Sequence, residues 1–122
     1  MSITPRELVH VAAVAADEKK ASDLVVLNLA GQADFAEYLL ICTASNARLA
    51  DTLVDEIEEK VALNCDEHPI SIEGRAAGRW ILMDYGQVIV NIFLPEAREY
   101  YRLERLWDEA ETVDFGLESQ QK

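Results

Sequence analysis

The chain has 122 residues, half of them apolar, and a formal net charge of −12. This length and apolar fraction predict one domain whose core needs no metal or disulfide for stability. The negative charge argues against binding driven by phosphate neutralisation, which requires clustered Lys and Arg, and favours attraction to a basic partner. We therefore expect little direct binding of nucleic acid, although a basic protein within a nucleoprotein particle would suit the charge.

The two cysteines, Cys42 and Cys65, are too few and too far apart for a disulfide framework. We expect free thiols without a metal or redox role. The N-terminus lacks a basic start followed by an apolar run, so no secretory signal is predicted. No apolar stretch approaches the ~20 residues that a membrane span needs. These features predict a soluble, cytoplasmic protein without a membrane partner.

The first part of the chain predicts one helix and two strands. Thr4 and Glu7 form a capping box for a helix that should run to about Lys20. The apolar run at residues 24–29 indicates a first strand. Tyr38–Thr43 is apolar at nearly every position, which is typical of a strand at the centre of a covered sheet.

The second part predicts two more helices and three strands. Ser45 or Asn46 caps a helix with an apolar stripe on one side. The three strands follow at residues 70–73, 79–84 and 87–94. The last two should form a tight hairpin. Pro95 opens the final helix, and helical spacing predicts that Tyr100 belongs to its buried stripe.

This order of elements predicts an α/β fold in which a mixed β-sheet is packed with helices. A single domain should span residues 1–107. The order is compatible with a nucleotidyltransferase-like fold. Residues 108–122 are acidic and polar, which predicts a disordered tail.

The sequence offers no convincing motif for catalysis or metal binding. His10 and His68 have no further ligands at metal-binding spacing. The glycine-rich loop at residues 74–78 precedes a strand and lacks the Lys and Ser/Thr of a phosphate loop. Three carboxylates flank predicted strand ends, namely Asp34, Glu37 and Asp84. None has a second carboxylate two residues away on the same strand, where two could hold a metal. We predict a binding module without a cofactor; a nucleotidyltransferase-like enzyme is an alternative.

Aromatic residues are concentrated near the end of the chain. Six of the nine lie in one segment: Trp80, Tyr85, Phe93, Tyr100, Tyr101 and Trp107. Strand alternation puts Trp80 and Asp84 on one face and Met83 on the other. Tyr101 is rotated by about 100° from Tyr100 on the helix, so Tyr101 and Arg98 are candidates for an exposed edge. Trp, Tyr and Arg are enriched at binding hot spots.

Two roles are open for these aromatics. Phe93, Tyr100 and Trp107 are expected mainly in the core. For Trp80, Tyr85 and Tyr101, the residues alone leave core packing and partner binding equally open.

The same segment carries motifs in a fixed register. They lie at residues 79–86, 88–93, 98–101 and 103–107, with an upstream stretch at 40–48 and the pair Glu73-Gly74. From about residue 6 to 107 the chain resembles the ribosomal silencing factor RsfS family, also called Iojap-like. Two positions depart from the family pattern, since Asn91 stands where the family usually has His and Gln87 where it usually has Asp. A role of that histidine is therefore not carried over.

The resemblance implies a nucleotidyltransferase-like fold that lacks catalytic carboxylates. It also implies binding to the large ribosomal subunit through its protein L-fourteen, at the face that meets the small subunit. Bound there, the protein would block subunit joining and repress translation under nutrient limitation. Organellar relatives act in large-subunit assembly, which is the alternative function. Matching motif positions place the partner surface on Trp80, Met83, Asp84, Tyr85, Leu94, Arg98 and Tyr101. A homodimer through the same apolar edge is a further hypothesis.

Overall fold

The fold is built on one six-stranded sheet, and the computed structural model describes residues 3–120. Residues 1, 2, 121 and 122 lie outside the described part. The helices are α1 (Pro5–Glu18), α2 (Ala47–Cys65) and α3 (Pro95–Tyr101), with a 3-10 helix at Leu103–Trp107. The strands are β1 (Ser22–Asn28), β2 (Tyr38–Thr43), β3 (Ser71–Glu73), β4 (Trp80–Asp84), β5 (Val88–Phe93) and β6 (Glu111–Thr112).

The spatial order of the strands is β3-β4-β5-β2-β1-β6. The central pair, β2 and β5, is parallel, and the other neighbouring strands pair in the antiparallel direction. The predicted α/β class, with a mixed sheet packed with helices, is confirmed. The relationship to nucleotidyltransferase-like folds stays a prediction.

Side-chain hydrogen bonds define the starts of the two long helices. In α1, the Thr4 hydroxyl accepts from the Glu7 backbone N–H at 3.1 Å, and the Glu7 carboxylate accepts from the Thr4 backbone N–H at 3.2 Å. The predicted capping box is therefore present. The Thr4 backbone N–H and the Thr4 hydroxyl both donate to the Glu7 carboxylate, and these two bonds lower the pKa of Glu7. At α2 it is Asn46 that caps, because its Oδ1 accepts from the Leu49 N–H at 2.8 Å.

Alternation along the strands divides the apolar side chains between two faces of the sheet. Helices α1 and α2 cover one face, which we call the helix face, and the larger core cluster lies there. The smaller cluster, which includes Leu39, Ile41 and Phe93, lies on the other face, which we call the open face. Of the helices, only α3 and the 3-10 helix contribute to this second cluster. The open face is therefore covered in part only, and β4 lies beyond its covered half.

The structure differs from the prediction for the C-terminal tail. Residues 111–112 pair with β1, and Ser119 bonds to Asp17 of α1 through both its N–H and its hydroxyl. Val113 is buried, and Phe115 stacks on His10 with ring centroids 4.4 Å apart. The described residues 108–120 thus complete the domain. Apolar residues at 113, 115 and 117 pack against the larger core cluster. The acidic composition of the segment as a whole did not predict this packing.

The structure also differs at the last helix. We predicted that Tyr100 is buried, but its side chain is 78% exposed. Helix α3 also ends after only seven residues, at Arg102, whose φ of 46° lies in the left-handed region. Ala97 is the one buried residue of α3, so no continuous apolar stripe forms.

Candidate partner-binding surface

Four aromatic rings form a cluster at one end of the open face. Trp80 stacks on Phe93 at 4.9 Å between ring centroids, and Tyr101 lies 4.8 Å from Trp80. Tyr100 meets the Tyr101 ring edge-on at 5.0 Å. We call Trp80, Phe93, Tyr100 and Tyr101 the aromatic cluster. Phe93 is fully buried at its base, whereas Tyr101 is 47% exposed and Tyr100 more so. Large rings that are held by neighbours and exposed on one side suit protein recognition.

Strand pairing and one hydrogen bond position Trp80. It lies opposite Phe93 in the antiparallel β4–β5 pair. Its indole Nε1 donates to Oδ1 of Asn91 at 2.9 Å. The predicted alternation of β4 is confirmed, because Ile81 and Met83 are buried on the helix face while Trp80 packs against the smaller cluster on the open face. Trp80 is half-buried and available to a partner on its outer side.

Arg98 contacts other residues of the domain. Its Nε and one terminal nitrogen donate to Glu104 Oε2 at 2.9 Å each, and the other terminal nitrogen donates to Thr43 Oγ1 at 2.9 Å. These bonds tie α3 to the 3-10 helix and to the end of β2. Since the Arg98 side chain is only 12% exposed, it serves these contacts within the domain more than it reaches outward.

Asp84 and Leu94 lie near the surface but away from one another. Asp84 lies at the other end of β4 from Trp80, about 13 Å away along the strand at 3.3 Å per residue. Its Oδ1 accepts from the Gly86 N–H at 2.7 Å and so closes the hairpin turn. Leu94 is half-buried, packs against the larger core cluster and precedes α3, and its N–H donates to the Arg79 carbonyl at 2.9 Å.

Met83 and Tyr85 do not lie on the open face, so their assignment to a surface shared with Trp80 is corrected. Met83 is fully buried on the helix face, and Tyr85 is 9% exposed within the same cluster. The Tyr85 hydroxyl is buried and has no hydrogen-bond partner among the described residues. Burial raises the pKa of Tyr85, and the nearby Glu58 and Cys65 add to the effect. Five predicted residues remain at or near the surface, and of these Trp80 and Tyr101 are in ring contact.

We expect Tyr85→Phe to leave the protein as stable as before, or more stable by about 1 kcal/mol, because a buried hydroxyl without a partner costs free energy. Urea unfolding would measure the change. The same variant should bind the partner with unchanged affinity. If a folded Tyr85→Phe protein lost affinity, the hydroxyl would have to contribute to partner binding.

The glycine-rich loop fixes where β4 begins. Arg75 extends from this loop to α2, where its Nε donates to Asp51 and a terminal nitrogen to Asp55, each at 2.7 Å. Gly74 has a φ of +83°, and a Cβ there would lie 2.2 Å from the Trp80 carbonyl oxygen. The loop therefore packs directly on the backbone of Trp80. Arg75 has a structural role, because it connects the loop to α2.

Sequence reasoning missed several exposed apolar side chains. Tyr100 is predicted in the core but is exposed. Leu106, next to Trp107 in the chain, is 71% exposed, and Phe35, whose ring contacts that of Trp107, is 57% exposed. A cleft of about 650 Å³ lies between β1 and the segment from α3 to the 3-10 helix. Its walls include Val25, Trp107 and three arginines, namely Arg98, Arg102 and Arg105. The apolar residues of the 3-10 helix could have indicated this surface, but the sequence pattern assigns them to a longer final α-helix. In the structure that helix ends at Tyr101.

Residues 3–120 contain no group of three His, Cys, Asp or Glu side chains placed to hold a metal ion. None of the helices in this part of the chain is long and apolar enough to cross a membrane. Both cysteines are free thiols, as predicted, and burial raises the pKa of Cys42 to about 12.

Comparison with known proteins points to one family. Residues 2–122 match the family model described as ribosomal silencing factor during starvation. The chain is 34% identical over 117 residues to the ribosomal silencing factor RsfS of Bacillus subtilis, covering 92% of this chain and 96% of that one. It is 29% identical over 92 residues to the mouse protein named mitochondrial assembly of ribosomal large subunit protein 1, and it spans 40% of that protein's length.

Solved structures agree with this result. A crystal structure from Bacillus halodurans superposes with a TM-score of 0.77 at 34% identity, covering 90% of this chain and 99% of that one. A protein of Chromobacterium violaceum superposes with a TM-score of 0.83 at 24% identity, covering 96% of each chain, and shows the shared fold. The family match over nearly the whole chain, together with these relatives, means that the chain belongs to the ribosomal silencing factor RsfS family.

Proposed function

We propose that this protein binds the large ribosomal subunit at protein L-fourteen and prevents the small subunit from joining. The observation that carries the proposal is the aromatic cluster, whose Tyr100 and Tyr101 rings are exposed at one end of the open face. A partner that covers it would bury the exposed sides of Trp80 and Tyr101. Under nutrient limitation, such binding would repress translation.

The charge of the chain supports a basic protein as the direct contact. With a net charge of −12, the domain attracts a basic ribosomal protein and is repelled by the phosphates of exposed RNA. We therefore infer that the contact is made through protein, with little direct binding of RNA. Association should slow as salt screens this attraction.

Steric exclusion requires affinity and placement but no chemical step. The proposal therefore needs no catalytic residue, cofactor or metal. It is consistent with relatives that are named as regulatory factors. The partner residues that we propose are Trp80 and Tyr101 at the centre, with Arg98 anchoring α3 and with Asp84 and Leu94 at the periphery.

A role in large-subunit assembly is the second candidate, because the mouse relative is named for assembly of the mitochondrial large subunit. The two functions would use the same surface. They differ in the particle bound, since an assembly factor should favour immature particles and a silencing factor should bind the mature subunit.

Sedimentation of the protein with purified subunits tests the proposal. We expect it to travel with mature large subunits and not with small subunits. Binding to precursor particles alone would favour assembly, and binding to neither would contradict both.

A further inference from the structure

We propose that Asn91 is a positioning residue for the partner surface, which it serves by orienting the indole of Trp80. Asn91 lies in β5 at the centre of the sheet and is 1% exposed. It is one of two buried polar side chains among the described residues, the other being Thr43. The inference rests on the proposed function, because it concerns how the proposed surface is held in shape.

The hydrogen bond between the two side chains has a fixed direction. The indole Nε1 can only donate, so the atom of Asn91 that faces it at 2.9 Å must be the amide oxygen. The amide nitrogen then points toward β2, where it donates to the Leu40 carbonyl at 3.4 Å. One buried amide thereby links Trp80 on β4 to the backbone of β2 across the intervening strand.

Packing alone leaves the indole less constrained. Trp80 lies opposite Phe93 in the strand pairing, and its ring stacks on Phe93 at 28° between the ring planes. Aromatic pairs are attractive over a range of offset arrangements, so stacking fixes the ring less tightly than a directional hydrogen bond does. The hydrogen bond to Asn91, two residues before Phe93 on β5, selects one position of the indole along the strand.

In this position the Trp80 indole packs against the ring of Tyr101. The Tyr101 ring lies 4.8 Å from the Trp80 ring and 6.3 Å from that of Phe93. A shift of the indole would therefore move the ring against which Tyr101 packs. Because a buried polar group is stabilising only when it is paired, an amide at this depth is better explained by orientation of Trp80 than by core stability.

The test combines an Asn91→Leu variant with an Asn91→His variant. Leucine has the same branched skeleton of heavy atoms as asparagine, although it is bulkier, and it cannot accept a hydrogen bond. A neutral imidazole nitrogen can, so the measurements are made near pH 8. The first readout is the indole N–H resonance of Trp80 in the free protein by NMR. Because the chain has only two tryptophans, Trp107→Phe assigns it. The second readout is affinity for the large subunit.

In Asn91→Leu we expect the Trp80 indole resonance to move and its hydrogen exchange to accelerate. Affinity for the large subunit should fall about tenfold, because the indole that supports Tyr101 is no longer held in one position. Asn91→His should recover most of both readouts. Val90→Ala, a destabilising change on the helix face of the same strand, should move neither.

Two results with Asn91→Leu, and one with the control variant, would overturn the inference. One is an unchanged indole resonance in Asn91→Leu, and the other is wild-type affinity despite a shifted resonance. An equal loss of affinity in Val90→Ala would also overturn it, because the effect would then come from stability. Failure of the proposed function looks different, since the wild-type protein would then not bind the large subunit at all.

Discussion

Tyr101→Ala and Trp80→Ala are each expected to weaken binding to the large subunit by about 2 kcal/mol, or roughly 30-fold. Both rings have neighbours that hold them and an outer side available to a partner. A ring of this kind loses little conformational freedom on binding and buries a large apolar area. The affinity of each variant can be measured by titration with purified large subunits.

Tyr101 gives the cleaner test, because it is 47% exposed at the end of α3 and its truncation should spare the core. Leu63→Ala is a matched control, since Leu63 is 76% exposed but lies on α2, at the helix face. The control should bind like wild type. If folded Trp80→Ala and Tyr101→Ala proteins retained wild-type affinity, the partner surface would have to lie elsewhere.

Gly74→Ala is expected to reduce the free energy of unfolding by about 3 kcal/mol or more. A φ of +83° alone costs an L-residue roughly 1–2 kcal/mol. The added Cβ would also lie 2.2 Å from the Trp80 carbonyl oxygen, so the backbone must shift. Because this is the backbone of Trp80 itself, we expect reduced affinity for the large subunit as well. Denaturant unfolding and subunit titration measure the two effects.

Gly31→Ala provides the comparison that separates strain from collision. Gly31 has the same φ of +83°, but a Cβ there would meet nothing within 4 Å. We expect a loss of about 1 kcal/mol and unchanged affinity. Equal destabilisation by the two substitutions would show that the close approach of Gly74 to Trp80 has no energetic consequence.

Local patterns were sufficient to predict most of the sheet. The alternation of Trp80 to Asp84 gave the correct faces of β4, and it could also have placed Tyr85 correctly. Continued by one residue, it puts Tyr85 on the side of Met83, where the structure has it. The family motif instead indicates Tyr85 as a partner residue, and this indication conflicts with the strand geometry.

Other features depended on contacts between distant residues. Arg98 is held by Glu104 only because the chain turns at Arg102, and no glycine or asparagine marks that turn. The tail is ordered by Asp17 and His10 of α1, which lie about 100 residues earlier. Helical spacing likewise did not predict that α3 would end after seven residues with only Ala97 buried and Tyr100 exposed.

The most direct test of silencing is a subunit-joining assay with purified ribosomal subunits. We expect added protein to lower the fraction of joined ribosomes as its concentration rises, and Tyr101→Ala to require about 30-fold more protein for the same effect. If joining is unchanged while the large subunits are saturated with bound protein, steric exclusion is contradicted and the assembly role is favoured.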